Sequence, residues 1–198
     1  MSSKAERTRR HIVEKAAPFF NKKGYADTSM SDITAATGFT KGAIYGNFEN
    51  KDELALAVFE HNLSLLQSGT QAATNLHSDA VQKLLAMTDH YRREYRQVAI
   101  HGGCPLMNAA VEADDNFPAL KIRVKAAIRS WKKNIAQTIE LGKKQKRIHV
   151  QVDSDKFAAL FIGLIEGGIM LAKATDDQAY LLNTLDRIDT IVKTELEI

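Results

Sequence analysis

The chain has 198 residues, 44% hydrophobic and 26% charged, with one cysteine, three prolines and a formal net charge of +3. That length suits one or two domains with a real core, and the balance is that of a globular chain rather than a disordered one. No run approaches the ~20 apolar residues of a membrane span, residues 1–7 lack the apolar stretch of a signal peptide, and Cys104, as the one cysteine, cannot make an intramolecular disulfide. A reducing, cytoplasmic setting without membrane contact is therefore expected.

The charge is unevenly placed. Residues 1–52 carry nine Lys/Arg against six Asp/Glu, whereas the remainder carries 18 of each. The whole excess sits on the first quarter, as a module facing phosphates requires, although without a motif it would be an ordinary solvated face.

From Ala5 to Lys23, Ile12, Val13, Ala16, Ala17, Phe19 and Phe20 recur at helical spacing behind a basic leading end. Pro18 removes one backbone bond from this helix, and Gly24 follows its basic last turn as a stop. Thr28 or Ser29 can cap a short helix that carries Ile33 and Ala36 on one face. Gly38 is free to take the positive φ of a C-cap, and Thr40 caps a second short helix with Ile44 and Phe48 four apart on its buried side. Two short helices around a glycine turn, the second one polar outside, describe a helix-turn-helix whose second helix enters the DNA major groove.

Asn50 caps the next helix, which Leu54, Val58, Phe59, Leu63 and Leu66 carry to about Gln67; residues 68–78 read as a loop or a frayed end. Further helices are expected over about 79–98, ended by His101-Gly102-Gly103, and over about 104–113, opened by Cys104-Pro105. Asp114 to Pro118 reads as a turn. The following helix, about 119–141, carries Ile122, Ile128, Trp131, Ile135 and Ile139 inside and many Lys/Arg outside, then a basic connection from Gly142 to Arg147. Asp153-Ser154-Asp155 caps an apolar helix through Lys173 that holds Gly163, Gly167 and Gly168. A last helix runs from about Asp177 to Glu195. The fold class is all-α, with about nine helices: a three-helix helix-turn-helix DNA-binding domain over 1–50 and a second helical domain over 51–198.

The run Ile12…Ala16…Phe19-Phe20…Lys23-Gly24-Tyr25…Thr28-Ser29-Met30…Ile33…Ala36-Thr37-Gly38-Phe39-Thr40-Lys41-Gly42-Ala43-Ile44-Tyr45-Gly46-Asn47-Phe48…Lys51…Leu54 resembles the N-terminal domain of the tetracycline-repressor (TetR) family of bacterial regulators. The resemblance covers about the first quarter of the chain. It implies a homodimer that binds a palindromic operator as a repressor and is released by a small ligand held in the C-terminal domain. Carried over by position, Thr28, Tyr45, Asn47 and Lys51 are expected on phosphates, with the Ser29 hydroxyl also in reach. Thr40, Lys41, Gly42, Ala43 and Gly46 are expected to face the bases. Phosphate contacts set register and salt-sensitive affinity, while base edges set sequence. Gly46 stands where members of the family usually carry a large polar or aromatic residue, and Asn47 replaces a more usual histidine. Both leave the operator sequence open.

The last two helices read as a dimer interface, because a helix apolar nearly all round must be buried on more than one side. By resemblance, the helices at 79–98, 104–113 and 119–141 enclose a ligand cavity, with Met87, Tyr91, Tyr95, Cys104, Met107, Phe117, Trp131 and Met170 as expected liners; each is otherwise plain core. Cys104 at a helix N-terminus is either a thiol poised to react, as in the similar Gly-Cys segment of family members that sense electrophiles or oxidants, or a small packing residue. The basic outer side of 119–147 reads as a solvated face partly neutralised by Glu112, Asp114 and Asp115.

A helical enzyme is the rival class. His11, His61, His77, His90, His101 and His149 show no helical metal spacing, and no nucleophile motif or phosphate loop occurs, so no catalytic residue, metal or cofactor is expected. A helical DNA-binding protein without small-molecule control is the second alternative.

Overall fold

The computed structural model describes residues 3–198, except for the side chains of residues 114–116. Among the described residues the chain forms nine α-helices and no strand, as expected for an all-α fold. These are α1 (Lys4–Lys23), α2 (Met30–Thr37), α3 (Lys41–Tyr45), α4 (Lys51–Asn75), α5 (Ala80–Ile100), α6 (Pro105–Asn116), α7 (Pro118–Lys144), α8 (Ser154–Thr175) and α9 (Ala179–Ile191). A π-turn, Val192–Leu196, continues α9.

The chain packs as two compact units, Met1–Leu66 with His101–Val124, and Gln67–Ile100 with Lys125–Ile198. In the first unit Ile12, Ala16, Phe20, Ile33, Ile44, Phe48, Leu54, Val58 and Phe59 form the core of the head. On its α6 flank, Leu106, Ala109 and Ala113 are buried, and polar bonds tie the helix to the end of α1. Asn21, buried at the end of α1, donates to the carbonyls of His101 (2.6 Å) and Gly103 (3.1 Å). Asn108 of α6 donates back to Asn21 O (3.0 Å) and to Gly102 O (2.9 Å). The Glu112 carboxylate accepts from the N–H groups of Tyr25 (2.6 Å) and Ala26 (3.1 Å), which the end of α1 leaves without helical partners.

In the second unit α8 and α9 pack along their length through Phe161, Ile165, Ile169, Leu181, Leu185 and Ile188, all buried. Arg92 of α5 pairs with Asp186 (2.7 Å) and Asp189 (2.6 Å) of α9, and the buried Thr88 donates to Asp189 at 2.6 Å. The C-terminus is tied by a bridge between Ile148 and Glu197 and by Arg147, which pairs with Asp79 (2.8 Å) and Glu197 (2.7 Å).

Four expectations are corrected. First, α4 does not end near Gln67; it continues to Asn75, because Gly69 lets the His90 imidazole press against the helix and Gln71 bonds Asn75 at 2.6 Å. Second, Ile122 and Ile128 do not face inward. Ile122 is 68% exposed, and the buried stripe of α7 is Leu120, Val124, Ala127, Ile135 and Ile139. Third, α6 extends to Asn116, so the turn expected over 114–118 narrows to Phe117 before α7 begins at Pro118, and the side chains of Asp114 and Asp115 lie outside the described residues. Fourth, Glu112 bonds the α1–α2 linker instead of neutralising α7. Three α7 cations pair elsewhere, Arg123 with Glu60 (3.0 Å), Lys132 with Asp155 (2.8 Å) and Lys143 with Glu140 (2.7 Å).

One helix among the described residues, α8, is long and apolar enough to cross a membrane by length and composition, which the run-counting above missed. It packs along α9 and carries Glu166 within its length.

Candidate nucleic-acid interface

The head assembles a short recognition element from its caps inward. Ser29 caps α2, accepting from the Asp32 N–H (3.1 Å) while the Asp32 carboxylate accepts from the Ser29 N–H (2.9 Å), a reciprocal capping box. Lys23 reaches across from α1 to Asp32 at 2.6 Å. α2 ends on Gly38 at φ 72°, the left-handed conformation that a side chain would strain, and the Gly38 N–H bonds Thr34 O at 3.0 Å. The Thr37 hydroxyl donates to Ile33 O (2.8 Å) and accepts from the Phe39 N–H (3.2 Å), which fixes the turn. Thr40 then caps α3 by accepting from the Ala43 N–H at 3.2 Å. Burial of Ile44 and Phe48, each contributing about 1.5–3 kcal/mol, outweighs the ~1 kcal/mol of the cap in holding α3 down.

Thr40, Lys41, Gly42, Ala43, Tyr45 and Gly46 all lie on the exposed surface of this element. Tyr45 is 41% exposed, and the Lys41 ammonium lies 5.9 Å from its ring centroid. A Cβ on Gly42 would meet nothing within 4 Å, and one on Gly46 would meet only two backbone oxygens at 3.5 Å. The chain itself therefore leaves both positions open, and the surface beside Ala43 is smooth. Ser29 is exposed with its hydroxyl engaged in the cap.

Three of the expected phosphate contacts are already engaged within the chain. The Asn47 amide donates to Ala43 O at 2.9 Å, and Lys51 Nζ donates to Ala26 O at 2.8 Å while keeping further donors. Thr28 is fully buried and donates to Gly24 O at 2.6 Å, so its hydroxyl points into the head.

Arg9 has no role in the sequence reading, yet it meets this element from α1. Its guanidinium lies 4.0 Å over the Phe48 ring, donates to the Asn47 carbonyl and pairs with Glu53 at 2.6 Å. Nothing in the spacing of α1 marks it, because its partners lie 38 to 44 residues away. His11, two residues on, sits edge-to-face with Phe39 at 5.6 Å, with Nε2 3.4 Å from Thr37 O.

The eight expected effector residues divide between the two compact units. Met87, Tyr91 and Tyr95 are buried on α5, Tyr91 and Trp131 lie 6.4 Å apart by ring centroid, and Met170 of α8 is 49% exposed, all in the second unit. Burial, with Asp176 and Asp177 nearby, raises the Tyr95 phenol above its ordinary pKa. Cys104, Met107 and Phe117 belong to the first unit. Cys104 stands at the N-cap of α6 as expected, but its thiol makes no capping bond and is buried. No group of three His, Cys, Asp or Glu side chains suited to a metal occurs among the described residues.

Residues 12–58 match the family model for bacterial regulatory proteins of the tetR family, and residues 80–187 match that for the tetracyclin repressor-like C-terminal domain. A TetR-family transcriptional regulator from Cytophaga hutchinsonii is 38% identical, with a TM-score of 0.95 over 100% of this chain and 98% of its own. A TetR transcriptional regulator from Chloroflexus aurantiacus is 35% identical, with a TM-score of 0.94 over 98% of each chain. The HTH-type transcriptional repressor DhaR of Mycobacterium sp. (strain GP1) is 25% identical over 184 residues, 93% of this chain and 89% of DhaR.

Proposed function

Because the chain belongs to the TetR family of bacterial transcriptional regulators, whose members are DNA-binding proteins and not enzymes, we propose that it is a ligand-responsive repressor that binds a palindromic operator as a homodimer. The observation that carries this reading is the capped α3 with its open outer face. Two buried anchors hold it down, while Thr40, Lys41, Gly42, Ala43 and Gly46 stand free to meet base edges. Tyr45 and Lys51 flank that face as phosphate contacts, with Ser29 and Asn47 beside them. Thr28 supports the group from inside by holding the Gly24 carbonyl. Residues 1–50 form the DNA-binding part, and residues 51–198 serve effector binding and dimerisation.

Family members act as dimers with small-molecule effectors. In this chain α8 supports the pairing surface: Leu160 and Met170 are exposed on it, and a Cβ at Gly163 or Gly167 would meet nothing within 4 Å. Met87, Tyr91, Tyr95 and Trp131 offer an aromatic lining for the effector. Modification of Cys104 is a second route to release, and it requires the first turn of α6 to open, since the thiol is buried.

Selection of bound duplexes from a random pool with the full-length protein tests the reading; a palindromic sequence held by two protomers is the expected product. On that duplex Lys51→Ala weakens all sequences by a similar factor and lowers the slope of log K against log salt by about 1. A changed sequence preference in Lys51→Ala would overturn the phosphate assignment. Melting the protein with and without small-molecule extracts, and with a thiol electrophile on parent and Cys104→Ser, separates effector control from a purely architectural role.

A further inference from the structure

We propose that Arg9 is a positioning residue for DNA binding, one that sets the pose of α3 from α1 without contacting the nucleic acid. The inference rests on α3 being the DNA-reading helix. At five residues α3 is far too short to hold its own shape, since an isolated helix of that length does not nucleate. Its inward anchors, Ile44 and Phe48, lie on one face, which fixes depth but leaves tilt to be set by something else. The N-terminal end is tied by the Thr40 cap and the Gly38 turn. The C-terminal end leads through Asn47 to Asn50 into α4, and this end is where Arg9 acts.

One planar side chain makes three different contacts there. The guanidinium face lies 4.0 Å from the Phe48 ring centroid, one terminal nitrogen donates to the carbonyl of Asn47, and the other donates to Glu53 Oε1 at 2.6 Å. The second oxygen of Glu53 accepts the Glu49 N–H at 2.7 Å, and Asn50 accepts the Glu53 N–H at 2.8 Å, so the turn between α3 and α4 is closed from both sides. Arg9 and Glu53 are each 40% exposed, where an ion pair alone contributes little to stability. What the arrangement supplies is direction. A fork that stacks on a ring while donating at two fixed angles admits one orientation of the Asn47–Phe48 peptide, and a lysine ammonium has neither the plane nor the fork.

Both terminal nitrogens are engaged inside the protein, and a positioning role and a phosphate contact give opposite results in one experiment. The probes are the duplex enriched by the full-length parent and a random-sequence duplex of equal length, titrated over a salt series. The variants are Arg9→Ala, Arg9→Lys, Glu53→Ala and the double Arg9→Ala/Glu53→Ala, with Glu53→Gln as a milder change whose single acceptor oxygen keeps one of the two side-chain bonds. Arg9→Ala and Arg9→Lys are expected to lose about 5- to 50-fold on the enriched duplex, with the salt slope of the parent and little change on the random duplex. Glu53→Ala is expected to match them, the double variant to cost no more than the larger single, and Glu53→Gln to fall between the parent and Glu53→Ala. The idea fails if Arg9→Lys binds like the parent, if Arg9→Ala lowers the salt slope by about 1 as a lost phosphate contact would, or if the Arg9 and Glu53 losses simply add. A parent that enriches no duplex would sink the DNA reading itself along with this one, whereas a binding parent with an indifferent Arg9 sinks this inference alone.

Discussion

The Asp32 carboxylate accepts from Lys23 and from the N–H and hydroxyl of Ser29, and these donors hold its pKa down to about 2. A carboxyl depressed in the folded state stabilises that state fully above its unfolded pKa, and the contribution is lost as pH falls through the folded one. Asp32→Asn should therefore melt below the parent near neutrality, and the gap should close between about pH 4 and pH 2. Thermal melts across that window check it; a gap independent of pH would mean that the carboxylate charge has no part in the cap. The Ser29–Asp32 cap was legible because its partners are three residues apart. Arg9, Asn21 and Glu112 were not legible. Each is a polar residue in an ordinary-looking helix, and each bonds main-chain atoms at least 38 residues away, which no local pattern encodes.

At the scale of the element, α8 carries three glycines in two different settings. A Cβ on Gly168 would collide with the Thr184 hydroxyl and come within 3.1 Å of the Leu181 main chain, whereas Gly163 and Gly167 face open space. Gly168→Ala gains up to about 1 kcal/mol of helix propensity and loses about 1–3 kcal/mol by forcing α9 away. Urea titration is expected to show net destabilisation at Gly168, and a neutral or stabilised Gly168→Ala would mean that α8 and α9 tolerate a wider separation. The boundaries of most helices could be read from caps and stops. The buried face of α7 could not, because large Ile122 and Ile128 outweigh Ala127 in any apolar count, yet Ala127 marks the inner face. The end of α4 was hidden for a related reason. A polar run containing Gly69 reads as a loop until the imidazole that occupies the glycine's missing side-chain space is known.

For the whole molecule, the exposed face of α8 turns the proposed pairing into a measurable statement. Leu160 is 47% exposed in the single chain, so Leu160→Glu should leave the folded protomer intact while breaking a dimer built on that face. Sedimentation equilibrium of the variant is expected to give monomers with a melting point near the parent's, and operator affinity should fall with the loss of the second head. A dimer that survives this substitution would place the pairing surface elsewhere. Fold class and head were readable from one motif-rich quarter of the chain. The packing of α6 into the unit that carries the head was not, since it depends on side chains meeting backbone across more than 80 residues.

Gly24 sits at φ 95°, and the place its side chain would fill is taken by the Glu112 carboxyl group, whose Cδ and Oε2 lie 2.8 and 2.9 Å from where a Cβ would be. The same carboxylate holds the next two backbone N–H groups. Positions 24 and 112 therefore behave as one locus in mutational terms. Any lineage that acquires a side chain at 24 must shorten or redirect residue 112 in the same step, and must then find another acceptor for Tyr25 and Ala26. A side chain at 24 must overcome both the positive φ and the carboxyl group, whereas a change at 112 alone gives up the two hydrogen bonds, so the constraint falls more heavily on the glycine.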